Sequence, residues 1–459
     1  MRRDDAGRKI GAGMTTPIVD FVRRYAEKKG VRFHMPGHKG KPYLGCEHLD
    51  ITEIKGADVL YDAAGIIDES EQNATALFGS AHTFYSTEGA TLAIKAMLAT
   101  VAMQLPRGER LHVLAARNAH KAFLYGAALL DAKVTWLYPK DTAHLCACPL
   151  SREEVANAIR SCAEKPHAVY LTSPDYLGNV ADIAAIAAVC DGFGVPLLVD
   201  NAHGAYLNFL SPSRHPIALG ATMCADSAHK TLSVLTGGAY LHVARKAPEA
   251  YLKSAREALS LFASTSPSYL ILQSLDLCNA VLADGYAAAL AETAARVAGV
   301  RAVLLAHGYR VLEGEPLKIV IEAAKSGYTG EALADILREN GIEPEFADKE
   351  FLVLMCTEGN GEADLLHLCT VLCSVPLRAA LPQTQPPIIR PTTGLSIREA
   401  MLSPAELVSL ENAAGRICAA PTVSCPPAVP IAVAGEYIDE SVIALLRHYG
   451  VDRIKVIKE

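Results

Sequence analysis

The stretch Cys224–His242, CADSAHKTLSVLTGGAYLH, decides how this chain is read. It sets one lysine, Lys230, among small, hydroxyl and apolar residues, with Ser227 three positions before it and His229 directly before it. Lysine is normally a solvated surface cation. In a poorly solvated site its pKa falls, and the neutral amine becomes a nucleophile toward carbonyl carbon. An ordinary surface lysine at a strand–helix turn is the competing reading, so the choice turns on the rest of the chain.

Upstream, VPLLVDNAHGAY (Val195–Tyr206) carries an apolar strand into Asp200, followed by Ala202 and His203. A carboxylate there can pair with a cationic ring nitrogen, and a residue as small as Ala202 lets a flat ring lie close. Pyridoxal 5'-phosphate (PLP) needs that pairing, because its protonated pyridine is the electron sink. The same aspartate could instead be a helix N-cap. Further upstream, STEGATLAIKAML (Ser86–Leu98) sets Gly89, Ala90 and Thr91 at the start of a helical pattern. Amides at a helix start cradle phosphate, although plain capping gives the same pattern.

The segments between these motifs alternate. TLAIKAMLATVAMQL reads as an amphipathic helix and RLHVLAA as a strand; AVYLTSP and VPLLVD are strands on either side of the helix ADIAAIAAVCDGFG. This alternation predicts an α/β domain with a mostly parallel sheet, in which Asp200 falls at a strand's carboxyl end, where such sheets bind ligands. AAALAETAARVAGVRAVLLAHG reads as a long helix leading away from it. LKIVIEA, TGEALADILRENG, FLVLMCT and ADLLHLCTVLCSV then read β-α-β-α, a smaller α+β domain, with a proline-rich connector from Pro376 to Pro391. SPAELVSLENAAG reads as a helix capped by Ser403, with Pro404 in its first turn and Glu406 completing a capping box. A helix near DESVIALLRHYG is expected to end the chain. The expected domains are an N-terminal tail and arm (1–60), a cofactor-binding large domain (61–282), a small domain (283–375), and a connector with the C-terminal segment (376–459).

Composition sets the outer limits. The 459 residues are 51% hydrophobic and 20% charged, with a net charge of −7. A globular chain of two or three domains follows, and a nucleic-acid footprint does not. Twelve cysteines are scattered without a CxxC pair, and Cys146 and Cys148 lie too close for zinc spacing. Reduced thiols in a cytoplasmic protein are expected. The longest uncharged run, Ile417–Gly435, contains Pro421, Pro426, Pro427 and Pro430, which argues against a membrane helix. The opening MRRDDAGRKIGAG is expected to be a disordered tail, with Met14 an alternative start.

The order phosphate turn, strand-end aspartate, then lysine thirty residues later is that of the aminotransferase-like, fold-type I PLP enzymes. FHMPGHKG (Phe33–Gly40), RNAHKA, TSPDYLGNVADI, VDNAHGAY, SAHKTLSVLTGGAYLH and STSPSYLILQSLD together resemble the successive signatures of the ornithine/lysine/arginine decarboxylase family in its short form. The resemblance implies PLP as cofactor, linked covalently to Lys230. Asp200 would meet the ring nitrogen, with Ala202 and His120 on the ring faces and His203 on the side of the phenolic oxygen. Ser227 would join Gly89, Ala90 and Thr91 at the phosphate, and His229 would be a proton donor. Ser264, with Thr265 and Ser266, would reach the site of a partner subunit in a homodimer, and FHMPGHKG would belong to an N-terminal arm. The implied reaction is α-decarboxylation of a small-molecule substrate, lysine, ornithine or arginine, to a diamine or agmatine. Another fold-type I reaction, or a PLP-binding regulatory protein without turnover, remains the alternative. Asp58, Glu71 and Glu399 are candidates for the substrate's distal cation, and Arg398 is either a carboxylate ligand or a surface charge. The chain departs from the family pattern at Glu88 and Ala90, Asn201, Ala228, and in TLSVLTGG.

Overall fold

The computed structural model describes residues 13–140, 144–382, 389–424 and 429–458. The expected N-terminal tail, up to residue 12, and residues 383–388 of the proline-rich connector lie outside them. In chain order the elements are α1 (Pro17–Glu27), α2 (Ile66–Phe78), β1 (His82–Ser86), α3 (Gly89–Ala102), β2 (His112–Ala116), α4 (Lys121–Leu129), β3 (Lys133–Leu137), α5 (Arg152–Ser161), β4 (Ala168–Thr172), α6 (Ile183–Phe193), β5 (Leu197–Asp200), β6 (Met223–Asp226), α7 (Ala228–Thr231), β7 (Ala239–Val243), α8 (Glu249–Phe262), α9 (Tyr269–Ala283) and α10 (Tyr286–His307). Then come β8 (Lys318–Glu322), α11 (Gly330–Glu339), β9 (Phe346–Ala347), β10 (Phe351–Met355), α12 (Glu362–Ser374), α13 (Ile397–Leu402), β11 (Ala405–Ser409), β12 (Thr422–Ser424), β13 (Val429–Ala432), α14 (Glu440–His448) and β14 (Arg453–Ile457).

The central sheet has seven strands in the order β1-β7-β6-β5-β4-β2-β3. It is mostly parallel, as the alternating pattern predicts. β5 and β6 run parallel with Asp200 opposite Ala225, whereas β7 runs against both β6 and β1. Asp200 and Asp226 therefore end adjacent parallel strands at the same sheet edge, the edge where α/β sheets place ligands.

Two compact units divide the chain. One comprises Met1–Val113, Ile159–Leu171 and Ile183–Ala288; the other Leu114–Ala158, Thr172–Asp182 and Ala289–Glu459. In the first, α3 differs from the expected amphipathic helix. Ala90, Leu92, Ala93, Ile94, Ala96, Met97 and Leu98 are all buried, because the helix is covered by β1, β5, β6 and β7 on one side and α8 on the other. A helix apolar on every face belongs inside.

In the second unit, the expected β-α-β-α run forms an antiparallel sheet ordered β8-β10-β9. Ile319, Ile321, Leu352 and Leu354 pack there against Leu304 of α10, Leu333 and Leu337 of α11, and Leu372 of α12. The segment read as a capped helix from Ser403 is instead strand β11, paired antiparallel with β14. The helix start lies upstream: Ser396 accepts from the Glu399 amide while Glu399 accepts from the Ser396 amide. Strand β14 also corrects the expectation that a helix ends the chain. Among the described residues every cysteine is a free thiol, and no helix is long and apolar enough to cross a membrane.

Candidate active site

In the first unit, the ends of β1, β5 and β6 and the start of α3 hold most of the candidate site residues. Asp200 closes β5 at 1% exposure. Its Oδ1 accepts from the Ala202 amide at 3.2 Å and its Oδ2 from the Tyr170 hydroxyl at 3.1 Å. Burial pushes its carboxyl pKa up, and the charge of Lys230 pulls against that shift. Tyr170 is not among the residues singled out from the sequence; its position in the middle of the apolar strand AVYLT is the signal for it.

Lys230 lies in the four-residue helix α7 and is half-buried. Its Nζ is 3.0 Å from His203 Nε2. His203 is buried at 5% exposure, directly after Ala202. His229 turns its Nδ1 to the Gly238 carbonyl at 3.0 Å. A carbonyl only accepts, so Nδ1 carries the proton and Nε2 is left with its lone pair. Burial and the neighbouring Lys230 charge lower the His229 pKa, so the neutral ring is favoured. Ser227 is buried at the N-cap of α7 and makes no capping hydrogen bond.

The start of α3 lies after β1. Gly89 adopts φ +70°, a left-handed conformation that glycine tolerates best, and a Cβ there would meet open space. Its own N–H donates to the Gly237 carbonyl at 2.7 Å. Gly89 thus shapes the turn, and the amides of Ala90 and Thr91 belong to the helix's open first turn. Glu88, the N-cap, is exposed, and its carboxylate accepts from the Ser264 amide at 2.7 Å. Ser264 is therefore held by its own chain's helix start.

His120 belongs to the second unit. It caps α4, with its Nδ1 accepting from the Ala122 amide at 3.1 Å. Of the acidic candidates for a distal cation, none has an uncommitted carboxylate. Glu71 is fully buried and takes Arg256 at 2.6 Å, His82 at 3.0 Å and the Tyr85 amide at 2.9 Å. Asp58 accepts from the amides of Val59, Ala64, Gly65, Ile67 and Asp68, which organise the entry to α2. Glu399 is consumed by its capping box. Arg398 donates to the carbonyls of Ala128 and Leu129, capping the end of α4.

The donor set suits PLP. A half-buried lysine amine, a buried carboxylate short of a full counter-cation, and a glycine-opened helix start match an aldehyde, a pyridinium and a phosphate.

The Orn/Lys/Arg decarboxylase major-domain model matches residues 16–304. An arginine decarboxylase of Bacillus anthracis is 28% identical over 464 residues, covering 94% of this chain and 92% of that protein. The protein YaaO of Bacillus subtilis is 30% identical, covering 95% and 94%. Among solved structures, the Francisella novicida lysine decarboxylase LdcF superposes with a TM-score of 0.80 at 18% identity, covering 97% of this chain and 81% of that one. The chain is thus a fold-type I, PLP-dependent decarboxylase, and it belongs to the Orn/Lys/Arg decarboxylase family.

Proposed function

We propose that the chain decarboxylates arginine to agmatine, with Lys230 and Asp200 holding the cofactor. The observation that carries the catalytic assignment is the 3.0 Å contact between Lys230 Nζ and His203 Nε2 beside the buried Asp200. Arginine is preferred because relatives aligned over more than 90% of both chains carry the name arginine decarboxylase. The lysine decarboxylases of Pseudomonas aeruginosa and Escherichia coli align over only 60% and 59% of this chain.

In this reading Lys230 would hold the cofactor's aldehyde carbon and Asp200 its ring nitrogen, with Ala202 beside the ring. The first turn of α3 and Ser227 would receive its phosphate. Bound PLP supplies the electron sink that accepts the pair left at Cα as carbon dioxide departs. Asp200 keeps the ring nitrogen protonated, which an anion in a dry site does strongly. His203 exchanges a proton with Lys230 Nζ, so the amine is neutral when it must attack and charged when it must give a proton. Once the substrate's amine has displaced it from the aldehyde carbon, the freed Lys230 amine, charged, would give its proton to Cα. His229, neutral and with its Nε2 lone pair exposed by the Gly238 bond, orients the substrate instead of serving as the resting proton donor. Two copies would share the site, with Ser264 near the partner's phosphate. Carbon dioxide release from PLP-loaded protein with arginine, lysine and ornithine tests the proposal. Agmatine as the main product is expected; faster release from lysine or ornithine overturns the substrate choice, and a keto acid product overturns the reaction.

A further inference from the structure

Asp226 ends β6 four residues before Lys230, and its side chain has no access to solvent. Oδ1 takes the Asn201 Nδ2 at 2.8 Å and the Cys224 thiol at 3.2 Å. Oδ2 takes His215 Nε2 at 2.9 Å and His242 Nε2 at 3.2 Å. All four partners are likewise buried at 0% exposure. Burial alone would raise the Asp226 carboxyl, but the two imidazoles hold it well below the usual carboxylate range.

His215, Cys224 and Asp226 have ligand atoms close enough together to suggest a metal site. The hydrogen bonds speak against one. His215 Nδ1 accepts from the Ile217 amide at 3.3 Å, so the ring proton sits on Nε2 and points at Asp226, where a metal would need a lone pair. On the far side, His242 Nδ1 meets the Thr83 hydroxyl at 2.8 Å, and Thr83 in turn meets Ser80.

The cluster joins the two segments that must bracket a cofactor. Asn201 follows Asp200, and its own amide donates to Ala225 O at 2.9 Å. Asp226 is followed by Ser227 and the Lys230 turn. One side-chain bond, Asn201 to Asp226, therefore ties the strand end carrying Asp200 to the strand end carrying Lys230. A residue with a carboxylate at position 201 would set two anions together in a dry site, which is strongly disfavoured.

We propose that Asp226 and Asn201 are positioning residues that fix the spacing between Lys230 and Asp200, and so set how tightly the cofactor is held. The proposal rests on the assignment of Lys230 and Asp200 to the cofactor.

The test uses Asn201→Ala, which removes one donor and leaves Asp226 its other three, alongside Asp226→Asn. Thr83→Val serves as a control that disturbs the far end of the same network. The readouts are the PLP dissociation constant from the visible absorbance and the melting temperature with and without PLP. Asn201→Ala is expected to raise the PLP dissociation constant about tenfold, as for loss of one hydrogen bond to a charged group. The melting temperature should fall more with PLP than without it. Thr83→Val should lower both melting temperatures equally and leave PLP affinity within about twofold. Equal loss of PLP affinity in Thr83→Val and Asn201→Ala, or unchanged affinity in Asn201→Ala, overturns the proposal. If Asp226→Asn fails to fold, the comparison of the other two variants still decides. Lys230→Ala separates the two readings: if it keeps a lysine-linked chromophore, the cofactor assignment fails; if it loses the chromophore while Asn201→Ala binds PLP normally, only the clamp fails.

Discussion

Lys230, 3.0 Å from His203, and the buried Asp200 each yield a sharp expectation. Replacing Lys230 by alanine removes the amine 3.0 Å from His203 Nε2. The lysine-bound visible band should vanish, and borohydride should no longer fix PLP to the protein at native stoichiometry. A retained reducible adduct would place the attachment at another lysine. Replacing Asp200 by asparagine keeps the shape and the Ala202 contact but removes the charge. Two or more units of lost ring-nitrogen pKa, at about 1.4 kcal/mol each, correspond to a fall of roughly a hundredfold or more in decarboxylation. A loss of only a few fold shows that the carboxylate does not set the ring's protonation. Both residues were legible because their signal is local: a strand running into an aspartate, and a lysine in a small-residue turn. Asp58, Glu71 and Glu399, the candidates for the distal cation, already hold other groups, which the sequence does not display. Their partners, Arg256 for Glu71 and a row of backbone amides for Asp58, lie where a linear reading does not place them. Asn201 was seen only as a departure from the family, and its reason, Asp226, lies twenty-five positions away.

At the scale of elements, the first unit is organised around a buried carboxyl on α9. Asp276 Oδ2 accepts from the Val19 amide of α1 at 2.9 Å, and Oδ1 accepts from Ser70 of α2 at 2.6 Å, so one side chain fastens three helices. Burial pushes its carboxyl up to about 7. An acid whose pKa is higher folded than unfolded binds its proton more tightly in the native state. It therefore costs stability progressively as pH rises from about 4, the ordinary aspartate range, to about 7, and no further above that. Asp276→Asn does not titrate. The difference in melting temperature between Asp276→Asn and the parent should move in the variant's favour between pH 5 and pH 8, and a difference independent of pH would contradict the assignment. Such couplings are invisible to periodicity, and so was the fate of SPAELVSLENAAG. Its Ser-Pro-x-Glu pattern is a sound helix start, yet the segment pairs with a strand nearly fifty positions away, Leu407 opposite Lys455 and Val408 opposite Ile454. Non-local pairing with Ile454 and Val456, both buried, outweighs local preference. β4 and β5 are legible because they are short buried apolar runs, whereas the polar strands β1 (HTFYS) and β3 (KVTWL) carry no such signal.

For the whole molecule, the N-terminal arm carries the remaining expectation. Val31, Phe33, Met35, Tyr43 and Leu44 are 84%, 94%, 65%, 78% and 90% exposed. The segment is nonetheless well ordered within the chain. Arg32 donates to the carbonyls of Glu47, His48 and Asp50, and the Glu47 carboxylate gathers the amides of Tyr43, Leu44 and Gly45. Hydrogen bonds thus hold a loop whose apolar side chains face outward, the reverse of what a free surface favours and what a protein–protein contact uses. A second copy of the chain would be an occupant that also accounts for Ser264, Thr265 and Ser266, all exposed and, in the family resemblance, directed at a partner's phosphate. We expect the protein to be at least a dimer in solution, with activity falling on dilution to monomer. Phe33→Ser with Leu44→Ser should shift the dimer–monomer midpoint to higher concentration, measured by sedimentation, without lowering the monomer's melting temperature. Ser264→Ala with Thr265→Ala should leave the dimer intact and weaken PLP binding, because hydroxyls lost there are donors withdrawn from the neighbouring site. A monomer that sediments as such and turns over at the full rate would reject the shared site, and would leave the exposed apolar arm to some other partner.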